Sequence, residues 1–228
     1  MFPVGVFLVA HLSTNATALA GRRTFDGAVR DINRLPFLPL IEVFGIFLPL
    51  AFHALYGVKL AFEARPNVGR YPYSKNWLYV MQRATGLVAF AFIGWHLWEF
   101  RIAKLVGKMG TEAFYPTLAE HLSSTVAGVP VEAIVYLVGI AASTFHFANG
   151  LATFAMSWGI CASKRSQRWA LALAAAFGLV VFAMGADTAL FFATGARFPG
   201  LSETSSSITG ERCSVVDPSS ENLTRGKR

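Results

Sequence analysis

Five stretches of this 228-residue chain are too long and too apolar for a water-exposed domain: roughly 2–20, 35–62, 77–100, 131–160 and 169–193. A helix needs about 20 apolar residues to cross the hydrocarbon core of a bilayer. The first stretch carries no charge, the second only Glu42 and Lys59, and the fifth Asp187. Inside a bilayer every backbone amide must find its partner within the protein, so such segments are helices. Charged residues are 14% of the chain and mean hydropathy is +0.47, against about 25% charged in soluble domains. The expectation is an all-α membrane protein with five transmembrane helices. It has one membrane domain over 1–200 and a polar, Ser-rich, disordered tail over 201–228.

The charge balance narrows the partners. A net charge of +7 and a pI near 9.7 could suit nucleic acid, but the basic residues lie in loops and tail. Lipid headgroups and partner subunits account for them better, and no nucleic-acid partner is expected. The loops alternate in side. Twelve Lys and Arg fall on the side of the 21–34 and 101–130 loops and the tail, and eight on the other. The short 161–168 loop on that other side is purely basic (Lys164, Arg165, Arg168). Because short loops weigh most, the positive-inside signal is indecisive. No cleavable signal pattern precedes the first span. Cys161 and Cys213 offer neither a disulfide framework nor metal-ligand spacing.

Four of the five histidines, His11, His53, His96 and His146, each stand alone in a different apolar stretch, 42, 43 and 50 residues apart. An ionisable side chain at membrane depth is costly and marks function. One histidine on each of four helices is what two bis-histidine haems in a bundle core require. The alternative is four separately satisfied core histidines. Depth pairs them: the first and third spans run parallel, as do the second and fourth. His96 lies late in its span, His53 late in an oppositely directed one. The expected pairs are therefore His11 with His96 and His53 with His146. Two imidazoles per iron leave no open position, so these are electron-transfer haems, a wire across the membrane.

Helical geometry adds neighbours. At about 100° per residue, residues 11 apart share a face, which aligns Glu42 with His53 and Thr85 with His96. Gly57 follows His53 by four, Asn149 and Gly150 follow His146 by three and four, and Glu99 stands one turn beyond His96. A glycine one turn from a ligating histidine leaves room for a flat porphyrin, although small residues also serve ordinary helix packing.

The segments PVGVFLVAHL, FLPLAFHALYGV, NWLYVMQRATG with GWHLWE, STFHFANGL and the WGI…SKRSQR stretch resemble the diheme cytochrome b membrane anchor of succinate dehydrogenase, the single five-helix type. The likeness runs from about Phe2 to Phe192. It implies a four-helix haem-binding core plus a fifth helix. It implies two haem b groups held by His11, His53, His96 and His146 as axial ligands to iron, and menaquinone as substrate. It further implies a flavoprotein subunit and an iron–sulfur subunit as partners, and multi-pass insertion in a bacterial cytoplasmic (inner) membrane. The 63–76 and 161–168 loops would face the cytoplasm, with the His53/His146 haem on that side. Family members carry a further N-terminal segment, so the native chain is expected to begin upstream of Met1. The loop after the third span is longer than the family's, and its His121 is expected to be a plain surface residue.

The expected activity is that of the non-flavin membrane subunit of succinate:quinone oxidoreductase. Electrons pass from the iron–sulfur subunit through two b-type haems to menaquinone. The chain has no dinucleotide-binding glycine fingerprint and no cysteine cluster for an iron–sulfur centre, so succinate chemistry belongs to the partners. Quinone reduction consumes protons. Glu42, inward on its face and at the depth of the outer haem, is the candidate for carrying them, with Glu99 and Asp187 behind it. The alternatives are a fumarate reductase subunit running in reverse and a haem-free anchor or transporter. A transporter would more often show internal repeats with broken helices, and no convincing repeat is present.

Overall fold

The computed structural model describes residues 2–196; the expected tail from 201, with Cys213, lies outside the described residues. Among the described residues seven helices carry the fold and no strand is present, apart from an isolated bridge between Val126 and Val129. Five are long and apolar enough to cross a membrane. These are α1 (Phe2–Ala16, extended by a 3₁₀ turn at Thr17–Ala20), α3 (Leu38–Glu63), α4 (Ser74–Leu105), α6 (Val131–Ser157) and α7 (Lys164–Thr194). Two shorter helices, α2 (Arg22–Asn33) and α5 (Phe114–Ser123), lie in the connections on one side. The sequence reading does not anticipate them, because neither segment is long or continuously apolar.

The spans differ from the expected ones mainly at their ends. The third runs five residues past Phe100, and the fifth starts at Lys164, ahead of Trp169. Ser163 caps that start, its hydroxyl accepting from the Ser166 amide at 3.1 Å and so satisfying a first-turn donor. Two spans carry π-helical stretches, Ile41–Phe47 in α3 and Leu97–Ile102 in α4. A π turn closes i to i+5 and so resets the angular register of the residues beyond it.

Small residues let the α6–α7 backbones approach, as membrane packing favours where apolar burial supplies little drive. A Cβ on Gly178 would stand 2.5 Å from Ala148 Cβ, and one on Gly185 would stand 2.9 Å from Ile140 Cγ2 and 3.3 Å from Leu12 Cδ2. Gly139 likewise lies flat against the Phe92 ring of α4. At the end where α2 and α5 sit, an aromatic cluster closes the bundle. Phe25 of α2 meets Tyr115 of α5 and Phe192 of α7 edge-on, at centroid distances of 5.6 and 6.3 Å. Leu122 is the most deeply buried large side chain there, 1% exposed. Gly21, at φ +110, makes the turn from α1 into α2, a conformation that side chains resist. None of Leu48–Glu63 is fully buried; Leu50, His53, Ala54, Val58 and Ala61 are half-buried along one face.

Candidate functional site

The four span histidines meet in two pairs. His11 of α1 faces His96 of α4, with ring centroids 5.8 Å apart and planes at 70°. His53 of α3 faces His146 of α6, at 5.9 Å and 67°. Two imidazoles on opposite sides of one metal ion, each bonded at about 2 Å through a ring about 1 Å in radius, stand about 6 Å apart. The donor set and the spacing therefore fit a bis-histidine iron at each pair. Along α4, Gly86 lies against His146 and His96 follows ten residues later, so the two pairs are separated by about 15 Å along the axis.

The surroundings orient each ring. His146 Nδ1 lies 2.9 Å from the Gln82 carbonyl oxygen, a contact in which the ring N–H donates and Nε2 keeps its lone pair. The Gln82 amide donates to the His146 carbonyl at 3.1 Å and lies 3.4 Å from His146 Nε2. Asn149 in turn donates to Gln82 Oε1 at 2.7 Å and to the Leu78 carbonyl at 3.3 Å. Asn149 therefore braces α6 against α4 through Gln82. Gly86 completes the seat: a Cβ there would stand 2.9 Å from His146 Cε1 and 3.0 Å from Nδ1.

The other pair is held by aromatic rings. His96 stacks on Phe92 at 5.8 Å and 20°, and Phe100 closes its other side at 5.1 Å. Its Nδ1 lies 3.2 Å from Tyr136 Oη, whose hydroxyl donates to Glu99 Oε2 at 3.2 Å. His11 stacks on Phe7 at 5.4 Å, and its Nε2 lies 3.2 Å from Asn15 Nδ2. Beside the histidines, Gly57 and Gly94 have no heavy atom within 4 Å of where a Cβ would stand. That is the clearance a flat macrocycle needs near the backbone. Gly150 instead is buried within α6. Thr85 turns back on its own helix, bonding the Met81 carbonyl at 2.6 Å.

The carboxylates stand differently from the sequence reading. The shared face of Glu42 and His53 assumes an unbroken α-helix, and the π stretch at Ile41–Phe47 removes that assumption. Glu42 pairs with Arg101 of α4, both largely shielded, while His53 faces α6. Asp187 is 4% exposed within the bundle. His121 is no plain surface residue. Its Nδ1 lies 2.7 Å from Glu99 Oε1 and 3.7 Å from Glu132 Oε2. Sequence reasoning also misses Gln82, Tyr136 and Arg101. Gln82 and Tyr136 are polar groups inside apolar spans, the same signal that singles out the histidines, whereas Arg101 falls just past the expected end of its span and joins it only because the helix continues to Leu105.

Comparison with known proteins bears on what this arrangement serves. The profile of the succinate dehydrogenase/fumarate reductase transmembrane subunit family matches residues 62–186. The succinate dehydrogenase cytochrome b558 subunit of Bacillus subtilis (strain 168) is 45% identical over 168 residues, 74% of this chain and 79% of that protein. No solved structure matches the chain significantly. With five membrane-crossing helices and the matched profile, the chain belongs to the succinate dehydrogenase/fumarate reductase transmembrane subunit family.

Proposed function

We propose that this chain is the diheme cytochrome b anchor of a succinate:menaquinone oxidoreductase in a bacterial cytoplasmic membrane, docked to a flavoprotein and an iron–sulfur subunit. The observation that carries the reading is the meeting of four isolated span histidines as two ring pairs at 5.8 and 5.9 Å. When bound, two haem b groups supply one-electron transfer between the iron–sulfur partner and the quinone. His11 with His96, and His53 with His146, would hold the two irons.

The remaining residues orient and supply. The Gln82 carbonyl fixes the His146 ring, and Asn149 fixes Gln82. Tyr136 positions His96 and transmits the charge of Glu99 to it. Glu42, held by Arg101 at the His96 end of α4, remains our candidate for moving protons where the quinone is reduced. Fumarate reduction would use the same residues with electrons running the other way.

A reduced-minus-oxidised optical spectrum of the purified complex tests the reading, together with haem quantitation in variants. The expected result is two low-spin b-type haems, with His11→Ala and His96→Ala depleting one and His53→Ala and His146→Ala the other. A complex with no haem band, or His11→Ala and His53→Ala depleting the same haem, would overturn it.

A further inference from the structure

On the side of the bundle where α4 ends and α6 begins, three groups from three elements converge. Glu99 of α4, His121 of α5 and Glu132 of α6 each offer one ligand atom, and these atoms all lie within 4.8 Å of one another. His121 Nδ1 pairs with Glu99 Oε1 at 2.7 Å and stands 3.7 Å from Glu132 Oε2. Glu132 Oε2 is shielded from solvent and has no hydrogen-bond partner.

Charge gives a second argument. Among the described residues the ion-pair partner of both carboxylates is His121. His121 can balance at most one of the two carboxylates, whereas a divalent cation balances both. The second oxygen of Glu99 is fixed by the Tyr136 hydroxyl at 3.2 Å, the kind of outer contact that orients a ligating carboxylate. Phe100 holds the His121 ring edge-on at 6.2 Å.

We propose that Glu99, His121 and Glu132 form a binding site for a first-row divalent transition ion of the zinc type. One imidazole and two carboxylates, with a position left for water, suit zinc and disfavour calcium or magnesium, which prefer all-oxygen shells. The ion clips α5 onto the ends of α4 and α6 and so fixes the loop that covers the His11–His96 end. The site is defined by these three side chains and does not depend on the haem reading.

The test is zinc binding to the intact, metal-stripped complex by equilibrium dialysis, with the zinc X-ray absorption edge recorded on the loaded sample. Wild type is expected to hold one zinc through one imidazole nitrogen and carboxylate oxygens at about 2.0–2.2 Å. Glu132→Gln and His121→Ala should each weaken binding by about tenfold or more, and excess calcium should not compete. Haem content and the optical spectrum, read on the same samples, report separately on the haem assignment and on folding. The near-isosteric Glu132→Gln guards against a collapse of α5 in His121→Ala. No saturable zinc in wild type, an all-oxygen shell, competition by calcium, or wild-type affinity in either variant overturns the proposal.

Discussion

Gly86→Ala is the smallest change that separates the two histidine pairs. The added methyl carbon would stand 2.9 Å from His146 Cε1 and 3.0 Å from Nδ1. Ordinary carbon contacts lie at about 3.5–4.0 Å, so the ring must retreat by about half an ångström or more. It cannot retreat freely, because its Nδ1 is tied at 2.9 Å to the Gln82 carbonyl, one turn away on the same helix as Gly86. Nor can α4 and α6 part easily, since Asn149 and Gln82 bridge them. Overpacking of this kind costs about 1–3 kcal/mol, and at about 1.4 kcal/mol per decade that is roughly a 5- to 150-fold loss in ligand affinity. The His11–His96 pair lies about 15 Å further along α4 and should not notice. The assay is haem quantitation with redox-resolved optical spectra on purified complex. The expected outcome is selective loss, or a shifted potential, of one haem, with the other unchanged. Gly27→Ala is the control, because nothing lies within 4 Å of its Cβ position. Two haems with unaltered spectra and potentials in Gly86→Ala would refute the placement of His146 as a ligand.

Other substitutions probe the rest of the bundle. Tyr136→Phe removes the hydroxyl between His96 and Glu99; it should perturb only the haem held by His11 and His96, weakening its retention about 10- to 100-fold, as read by haem content after detergent dialysis. Glu42→Gln should leave both haems bound but slow succinate-to-quinone turnover while sparing succinate oxidation by artificial acceptors; wild-type quinone turnover across the neutral pH range would remove Glu42 from the mechanism. Gly178→Leu drives a side chain into Ala148 and should lower the thermal stability of the bundle by about 1–3 kcal/mol, measured by thermal unfolding in detergent. Gly57→Leu meets no protein atom at its Cβ; it should nevertheless deplete the haem held by His53 and His146, and full haem content would argue against a macrocycle beside that glycine.

The five spans are legible in the sequence because length and hydropathy suffice to specify a helix in lipid. The histidine pairs are legible for a related reason. Antiparallel packing converts position along the sequence into depth, and His96 and His53 fall at opposite ends of their spans. The illegible parts turn on local detail. The helices Arg22–Asn33 and Phe114–Ser123 are short, and their burial rests on a few residues such as Phe25, Leu118 and Leu122. A window tuned to membrane length passes over them. The contacts of Glu42 escape for a different reason: the face argument depends on a constant rotation per residue, and a single π turn cancels it. His121 is misjudged from sequence because its partners, Glu99 and Glu132, come from two other elements, a meeting no local pattern records.

The two π-helical stretches give the bundle its asymmetry. Both lie at the same end, where α3 begins and α4 closes, and each carries a carboxylate, Glu42 in one and Glu99 in the other. π turns cost hydrogen-bond quality and persist where function or packing requires them. Each carries a carboxylate that meets a partner on another element: Glu42 meets Arg101, and Glu99 meets Tyr136 and His121. Among the described residues no π stretch lies at the His53–His146 end. Its ring is set by a backbone carbonyl and an amide side chain, both uncharged. The His146 ring is therefore set by uncharged groups, whereas His96 is connected through Tyr136 to ionisable groups that reach the loop helix α5. That difference suits a bundle in which one end only passes electrons while the other must also exchange protons. Under the proposed function, the chemistry of the quinone then belongs at the end where α3 begins and α4 closes.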